Sequence, residues 1–100
     1  MLILTIKKKW YQMILSGEKK EEYREIKPYY DSRFNNEMEK RKKDKFANYK
    51  VFDVMFRNGY SSKSPSFIAV CKLRKGIGQE KWGAKKNKEY YILEILSLKK

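Results

Sequence analysis

The chain has 100 residues, of which 41% are hydrophobic and 15% aromatic, and it carries a formal net charge of +13. This length predicts one domain covering residues 1–100, the composition excludes a disordered chain, and no apolar run approaches the roughly 20 residues of a membrane span. The charge favours an anionic partner, nucleic acid above all, and predicts salt-sensitive binding, with solubility alone as the simpler alternative.

The first half of the chain alternates predicted strands and helices. Residues 2–6 are apolar and β-branched, which predicts a buried strand. Residues 8–16 carry apolar side chains at helical spacing and predict a short helix closed by Gly17. Residues 19–26 are predicted as a second strand. A helical period over residues 28–45 then predicts a second helix with Tyr30, Phe34 and Met38 on its inner face and a lysine-rich outer face.

The second half is predicted to be mostly β-structure. Residues 50–57 and 66–74 predict two strands, and residues 89–98 predict the last one. Residues 75–88, the glycine-rich segment, are predicted as a long loop. The fold class that follows is α+β: a small β-barrel of about five to six mixed strands with two to three helices packed at its side.

Three residues of these strands allow predictions about packing. Cys71 alternates with apolar neighbours, which predicts a core residue rather than a nucleophile. Tyr90 and Tyr91 are adjacent on the last strand and therefore point to opposite faces, so we expect at most one of them to be buried. With one cysteine no internal disulfide forms, which suits a reducing compartment and predicts a cytoplasmic location.

Residues 17–24, the charged segment, have the sequence Gly-Glu-Lys-Lys-Glu-Glu-Tyr-Arg. Because side chains alternate along a strand, Lys20, Glu22 and Arg24 share one face, and Tyr23 lies on the other. This predicts a polar site built on a Glu22–Arg24 pair bracketed by Lys20. The alternative is a solvated edge strand whose charges prevent pairing with another sheet.

The pattern Gly17-x-Lys19-x-x-Glu22-x-Arg24 resembles the motif of the ASCH domain family, within the PUA-like superfamily of small β-barrels. The similarity includes the preceding helix and the continuation over residues 25–30, which is typical of small ASCH proteins of bacteria and their phages. It extends to the glycine-rich segment and the strand after it, and so covers most of the chain except the basic middle helix.

The resemblance implies a PUA-like barrel with a cleft beside the motif that binds RNA or nucleotides. Lys19, Glu22 and Arg24 would point toward this cleft, and Gly17 would shape its rim. Lys19 and Arg24 would hold phosphate or base acceptors, and Glu22 would orient Arg24 or accept a base amino group. The preference for RNA over DNA comes from the family alone.

An enzyme is the alternative that the resemblance also implies. Some ASCH relatives are amidohydrolases acting on acetylated cytidine with a lysine and a threonine near this motif. Lys19 stands at the lysine position, but Glu22 occupies the threonine position, so the hydroxyl nucleophile is missing. Other relatives are reported as ribonucleases. A hydrolase of RNA or of a modified nucleoside would use Lys19 and Glu22 as its catalytic groups.

Two further regions are rich in lysine. On the predicted second helix, Lys42 and Lys45 lie about one turn apart and would follow a phosphate backbone, unless this is an ordinary solvated helix face. In the glycine-rich segment, glycines would let the backbone approach a ligand, and Trp82 would stack on a base or, alternatively, plug the end of the barrel. Tyr29 is the predicted wall of the cleft, and Tyr30 a core residue.

The leading hypothesis is thus a nucleic-acid-binding module, with RNA or a small nucleotide-like ligand as partner. A third possibility is a basic interaction protein that blocks another protein's acidic surface. No metal site and no cofactor are expected, because histidine is absent and the carboxylates are interleaved with cations. The residues predicted to contact nucleic acid are Lys19, Glu22, Arg24, Tyr29, Lys42, Lys45, Lys75, Trp82 and Lys85.

Overall fold

The computed structural model describes residues 1–45 and 48–99, which form an α+β arrangement with five strands. The elements follow one another in the predicted order. They are β1 (Leu2–Thr5), α1 (Lys8–Leu15), β2 (Glu21–Arg24), α2 (Pro28–Lys42), β3 (Val51–Arg57), β4 (Ser66–Ile77), a 3₁₀ turn (Glu80–Trp82) and β5 (Glu89–Lys99). None of the helices in this part of the chain is long and apolar enough to cross a bilayer.

The five strands form one mixed sheet in the order β1-β3-β4-β5-β2. β1 pairs with β3 in parallel, and the other three pairings are antiparallel. Alternate residues of β1 and β3 face the core, among them Leu4, Val54 and Phe56, each at most 2% exposed. The first two strands of the chain therefore lie at opposite edges of the sheet.

A side chain joins these two edges. Arg24 in β2 donates a hydrogen bond from Nη2 to the backbone oxygen of Thr5 in β1, at 2.7 Å. In a flat sheet, strands four positions apart would be separated by about 19 Å, far beyond the reach of one arginine. The sheet is therefore curled, and its first and last strands approach each other. Arg33 of α2 similarly donates to the Ile3 oxygen at 2.7 Å, so two guanidinium groups satisfy acceptors on the free edge of β1.

Tyr90 and Tyr91 are both buried, each 6% exposed, so the prediction that at most one is buried is wrong. Tyr91 packs edge-to-face on Phe34 of α2, with ring centroids 4.8 Å apart. Tyr90 lies on the opposite face of β5 in a small cluster with Ala84 and Tyr23. The prediction failed because the lysine-rich loop before β5 covers the second face of the strand, where its Ala84 packs with Tyr90.

Element boundaries differ from the prediction by more than one residue at two strands and at α2. The helix α2 ends at Lys42 rather than at residue 45, so Lys45 lies beyond the helix on which it was predicted. β4 continues to Ile77 instead of ending at residue 74, because its last residues pair with β5, with Gly76 opposite Tyr90. β2 has four residues rather than the eight predicted over 19–26. Only the 78–88 loop remains of the predicted long loop, and it contains the 3₁₀ turn.

Several local predictions are confirmed. Gly17 follows α1 with φ of +86°, the left-handed conformation that favours glycine after a helix. Phe34 on the inner face of α2 and Cys71 in β4 are fully buried. Burial raises the pKa of the Cys71 thiol to about 12, so this residue is a small apolar core side chain rather than a nucleophile.

Candidate functional site

The charged segment folds into a buried ion network centred on Glu22. This carboxylate is 6% exposed although β2 lies at the sheet edge, so the solvated-edge alternative is wrong for Glu22. Its Oε1 lies 3.3 Å from Lys19 Nζ. Its Oε2 accepts hydrogen bonds from Arg24 Nε at 3.1 Å and Nη2 at 2.7 Å. The predicted Glu22–Arg24 pair is present, and Lys19 completes it in place of the exposed Lys20.

Lys19 lies beneath the site and is 1% exposed. Its ammonium group donates to the backbone oxygen of Trp82 at 2.8 Å. It also lies 4.9 Å from the ring centroid of Trp10 and 4.9 Å from that of Tyr23. Burial lowers the pKa of Lys19, and the Glu22 carboxylate opposes that shift. The ammonium group thus ties α1, β2 and the 78–88 loop together.

Arg24 has four hydrogen bonds within the chain. Besides the two to Glu22 and the one to Thr5, Nη1 donates to the Tyr30 hydroxyl at 3.2 Å. Burial disfavours the charged guanidinium, but Glu22 and Tyr30 outweigh that effect, and the pKa of Arg24 is raised. A guanidinium has five N–H groups, so one on Nη1 lacks a partner among the described residues. Arg24 can offer a ligand one N–H rather than a two-pronged contact.

Two glycines let the 78–88 loop lie close to the network. A Cβ atom at Gly78 would stand 2.7 Å from carbons of the Tyr23 ring. Gly83 has φ of +99°, and a Cβ there would be 3.0 Å from the Trp10 ring. The close approach predicted for these glycines is therefore to the protein's own aromatic rings. This close packing of the loop brings the Trp82 carbonyl within hydrogen-bond distance of the Lys19 ammonium group.

Tyr23 anchors the start of this loop. Its hydroxyl donates to Glu21 Oε1 at 2.7 Å and accepts from the backbone N–H of Gln79 at 2.8 Å. Burial, with the Glu21 hydrogen bond, raises the pKa of Tyr23. The hydroxyl group therefore stays protonated and continues to act as a donor over the ordinary pH range.

A cleft of about 700 Å³ opens beside the network, between the ends of β1 and β2 and the 78–88 loop. Six aromatic side chains line it, namely Trp10, Tyr23, Tyr30, Tyr60, Trp82 and Tyr90. Charged residues also line it, four of them cationic and two acidic: Lys7, Arg24, Lys85, Lys88, Glu22 and Glu25. The cleft therefore combines flat apolar walls with a net positive charge.

The predicted contact residues divide into two groups. Glu22, Arg24, Trp82 and Lys85 line the cleft, and Lys19 lies directly below it. Trp82 is only 9% exposed, which agrees with the alternative prediction that its side chain packs at the end of the barrel. The remaining four predicted residues do not line the cleft: Tyr29, Lys42, Lys45 and Lys75.

The residues outside the cleft have partners of their own. Tyr30, rather than Tyr29, forms the wall, because Tyr30 faces Arg24 while the Tyr29 hydroxyl accepts a hydrogen bond from Arg33 at 2.6 Å. Lys42 pairs with Glu39 at 3.1 Å. Lys75 lies in β4, with its ammonium group 5.2 Å from the Tyr91 ring centroid.

Sequence reasoning missed several cleft residues, among them three that stand far apart in the chain: Lys7, Tyr60 and Lys88. Each lies just outside a helix or strand, where no periodic pattern predicts the direction of a side chain. The Asn58-Gly59 pair before Tyr60 was the one available signal, since it marks a turn that projects the next residue from the sheet.

Comparison of the chain with known proteins finds no matching family model, no matching curated protein and no matching solved structure. Among the described residues, no group of three or more histidine, cysteine, aspartate or glutamate side chains is arranged to hold a metal ion. The structural support for a function consequently comes from the geometry and charge of the cleft.

Proposed function

We propose that this chain is a nucleic-acid-binding module of the ASCH, PUA-like type, which holds single-stranded RNA in the cleft beside residues 17–24. The observation that carries the proposal is the aromatic, cationic lining of this 700 Å³ space. The preference for RNA and the family assignment both follow from the resemblance of the charged segment and its flanks. The single buried cysteine agrees with a reducing compartment, and we place the activity in the cytoplasm.

The size and walls of the cleft suit a nucleotide. Sites for small ligands commonly measure about 300 to 1,000 Å³, and the cleft lies within that range. Every base has a π-face, so an exposed aromatic ring in such a lining binds single strands with little regard to sequence, at roughly 1–3 kcal/mol per stacked base. The bases of an intact duplex are already stacked on one another, which favours an unpaired strand.

The charges around the cleft suit a phosphate backbone. Lys7 lies just before α1 and Lys85 in the 78–88 loop, so they reach the cleft from two different segments of the chain. The Lys88 ammonium lies 3.4 Å from the Glu25 carboxylate at the edge of the cleft. A backbone that crosses the cleft would meet these ammonium groups and release condensed counterions. The net charge of +13 would draw the strand toward the protein over a longer distance.

Glu22 and Lys19 are positioned to support binding rather than hydrolysis. Both oxygens of Glu22 already face cations, and the Lys19 ammonium is directed at Glu22 and the Trp82 carbonyl. A general base or nucleophile has to reach the substrate directly or through one water. Within this network, Glu22 instead orients Arg24 so that one N–H remains for a ligand.

The test compares two adjacent lysines, Lys85 in the cleft lining and Lys86 outside it, both exposed. Fluorescence anisotropy would measure binding of labelled single- and double-stranded RNA and DNA over a range of KCl concentrations. We expect Lys85→Gln to weaken single-stranded RNA binding several-fold and to reduce the logarithmic salt slope by roughly 0.7, as loss of one phosphate contact predicts. Lys86→Gln should change both quantities much less.

Equal effects of the two substitutions would show that the lysines act without regard to the cleft, and would contradict a cleft-bound strand. Absence of binding to any oligonucleotide would reject the proposed function and leave a small nucleotide-like ligand or an acidic protein surface as the partner. The same mixtures on a denaturing gel test the hydrolase alternative. Fragments that disappear with Glu22→Gln, while circular dichroism shows that the variant remains folded, would replace the binding module with an enzyme.

A further inference from the structure

Tyr60 is the most exposed large hydrophobic side chain in the described part of the chain, at 92%, and it stands at the margin of the cleft. Two other rings of the cleft, Trp82 and Tyr90, are at most 9% exposed and already packed within the fold. Tyr60 has no ring or cation contact among the described residues. The cleft therefore contains packed aromatic walls and one ring whose two faces are free.

The loop that carries Tyr60 is well defined. The backbone N–H of Asn58 donates to the Pro65 oxygen at 2.9 Å, and its side-chain amide donates to the Ile6 oxygen at 2.9 Å. Gly59 has φ of +134°, and a Cβ there would stand 2.4 Å from Ser64 Oγ. Only glycine fits this position. The backbone thus places Tyr60 beside the cleft by specific contacts, although its ring gains nothing from packing there.

We propose that Tyr60 is a stacking residue that covers one unpaired nucleobase seated in the cleft. The inference rests on the proposed function and specifies the chemical group that is recognised. This group is a planar base that is no longer stacked on its neighbours. The ring of Tyr60 would contact the exposed face of the base, while the walls of the cleft contact its edges. Extraction of a base from a duplex costs a few kcal/mol, so the same contact would favour single strands.

The experiment uses a single-stranded RNA with one 2-aminopurine, whose fluorescence falls when it stacks on an aromatic ring. With the oligonucleotide saturated by protein, we expect strong quenching for the native chain and for Tyr60→Phe, which keeps the ring. Tyr60→Ala should remove most of the quenching and weaken binding roughly 5- to 150-fold. Tyr49→Ala is the matched control, because Tyr49 is also exposed and lies outside the cleft lining.

The outcomes separate this inference from the proposed function. Tight binding with unchanged quenching and affinity in Tyr60→Ala would overturn the stacking role and leave the binding module intact. Failure of the native chain to bind any oligonucleotide would overturn both. Because the Tyr60 ring is almost fully exposed, urea unfolding should be the same for Tyr60→Ala and the native chain. A lower midpoint would overturn the view that this ring does not support the fold.

Discussion

At Glu22, two buried cations share one carboxylate, and the three charges together carry a net charge of +1. The excess positive charge is balanced by neutral acceptors, because the Trp82 and Thr5 carbonyl oxygens face Lys19 and Arg24. Alternation along β2 correctly predicted that Glu22 and Arg24 share a face. Lys19 precedes the strand, so its place in the network depends on the path of the chain into β2.

Replacement of Glu22 tests this network at the residue scale. Glu22→Gln would leave Lys19 and Arg24 buried without a counter-charge, and we expect the free energy of unfolding to fall by about 3 kcal/mol. Urea denaturation followed by tryptophan fluorescence would measure the change. Glu18→Gln is the control, because Glu18 is exposed. A loss below about 1 kcal/mol would mean that solvent already screens the charges.

Among the elements, the 78–88 loop differs most from the prediction. Its lysines and glycines predicted a long loop whose backbone approaches a ligand, yet it covers one face of β5 and supplies the carbonyl that holds Lys19. Its close contacts require residues without side chains at Gly78 and Gly83. A glycine pattern shows that a backbone can approach something closely, but not which group it approaches.

Gly78→Ala should separate the loop from Tyr23. The new methyl group would lie 2.7 Å from ring carbons and from Ala84 Cβ, so one of these groups has to move. We expect a loss of about 1–3 kcal/mol in the free energy of unfolding, with faster amide exchange over residues 79–84. Gly17→Ala is the comparison, because its Cβ meets nothing within 4 Å and only its positive φ is strained. Unchanged exchange in Gly78→Ala would show that the loop does not depend on this contact.

For the molecule as a whole, burial changes how stability depends on pH. Burial raises the pKa of the Cys71 thiol from 9.0 to about 12 and that of the Tyr91 hydroxyl from 10.0 to about 12. The pKa of Tyr23 is also raised, again chiefly by burial. The folded state holds these protons more tightly than the unfolded chain does, so their contribution is complete at neutral pH and is lost as the pH rises.

We therefore expect the urea midpoint to fall between about pH 9 and pH 12. Lys19 acts in the opposite direction, because its pKa is lowered and deprotonation relieves the cost of its burial. Cys71→Ala should flatten the start of the decline, since the thiol has the lowest unperturbed pKa of the three acidic groups. A midpoint that stays constant over this interval would show that Lys19 cancels their effect, and one that rises would show that Lys19 outweighs them.

The sequence by itself determined the α+β order, the glycine that ends α1, the core positions of Phe34 and Cys71, and the shared face of Glu22 and Arg24. These features depend on neighbours a few residues away, which periodicity and turn preferences encode. Tertiary structure decided the rest. The Lys19 bond to Trp82 spans 63 residues, and the Arg24 bond to Thr5 forms only because the sheet curls. The cleft, with Tyr60 at its margin, is likewise formed by segments that are far apart in the chain. Local sequence patterns do not predict that these segments come together, because their contact depends on tertiary packing.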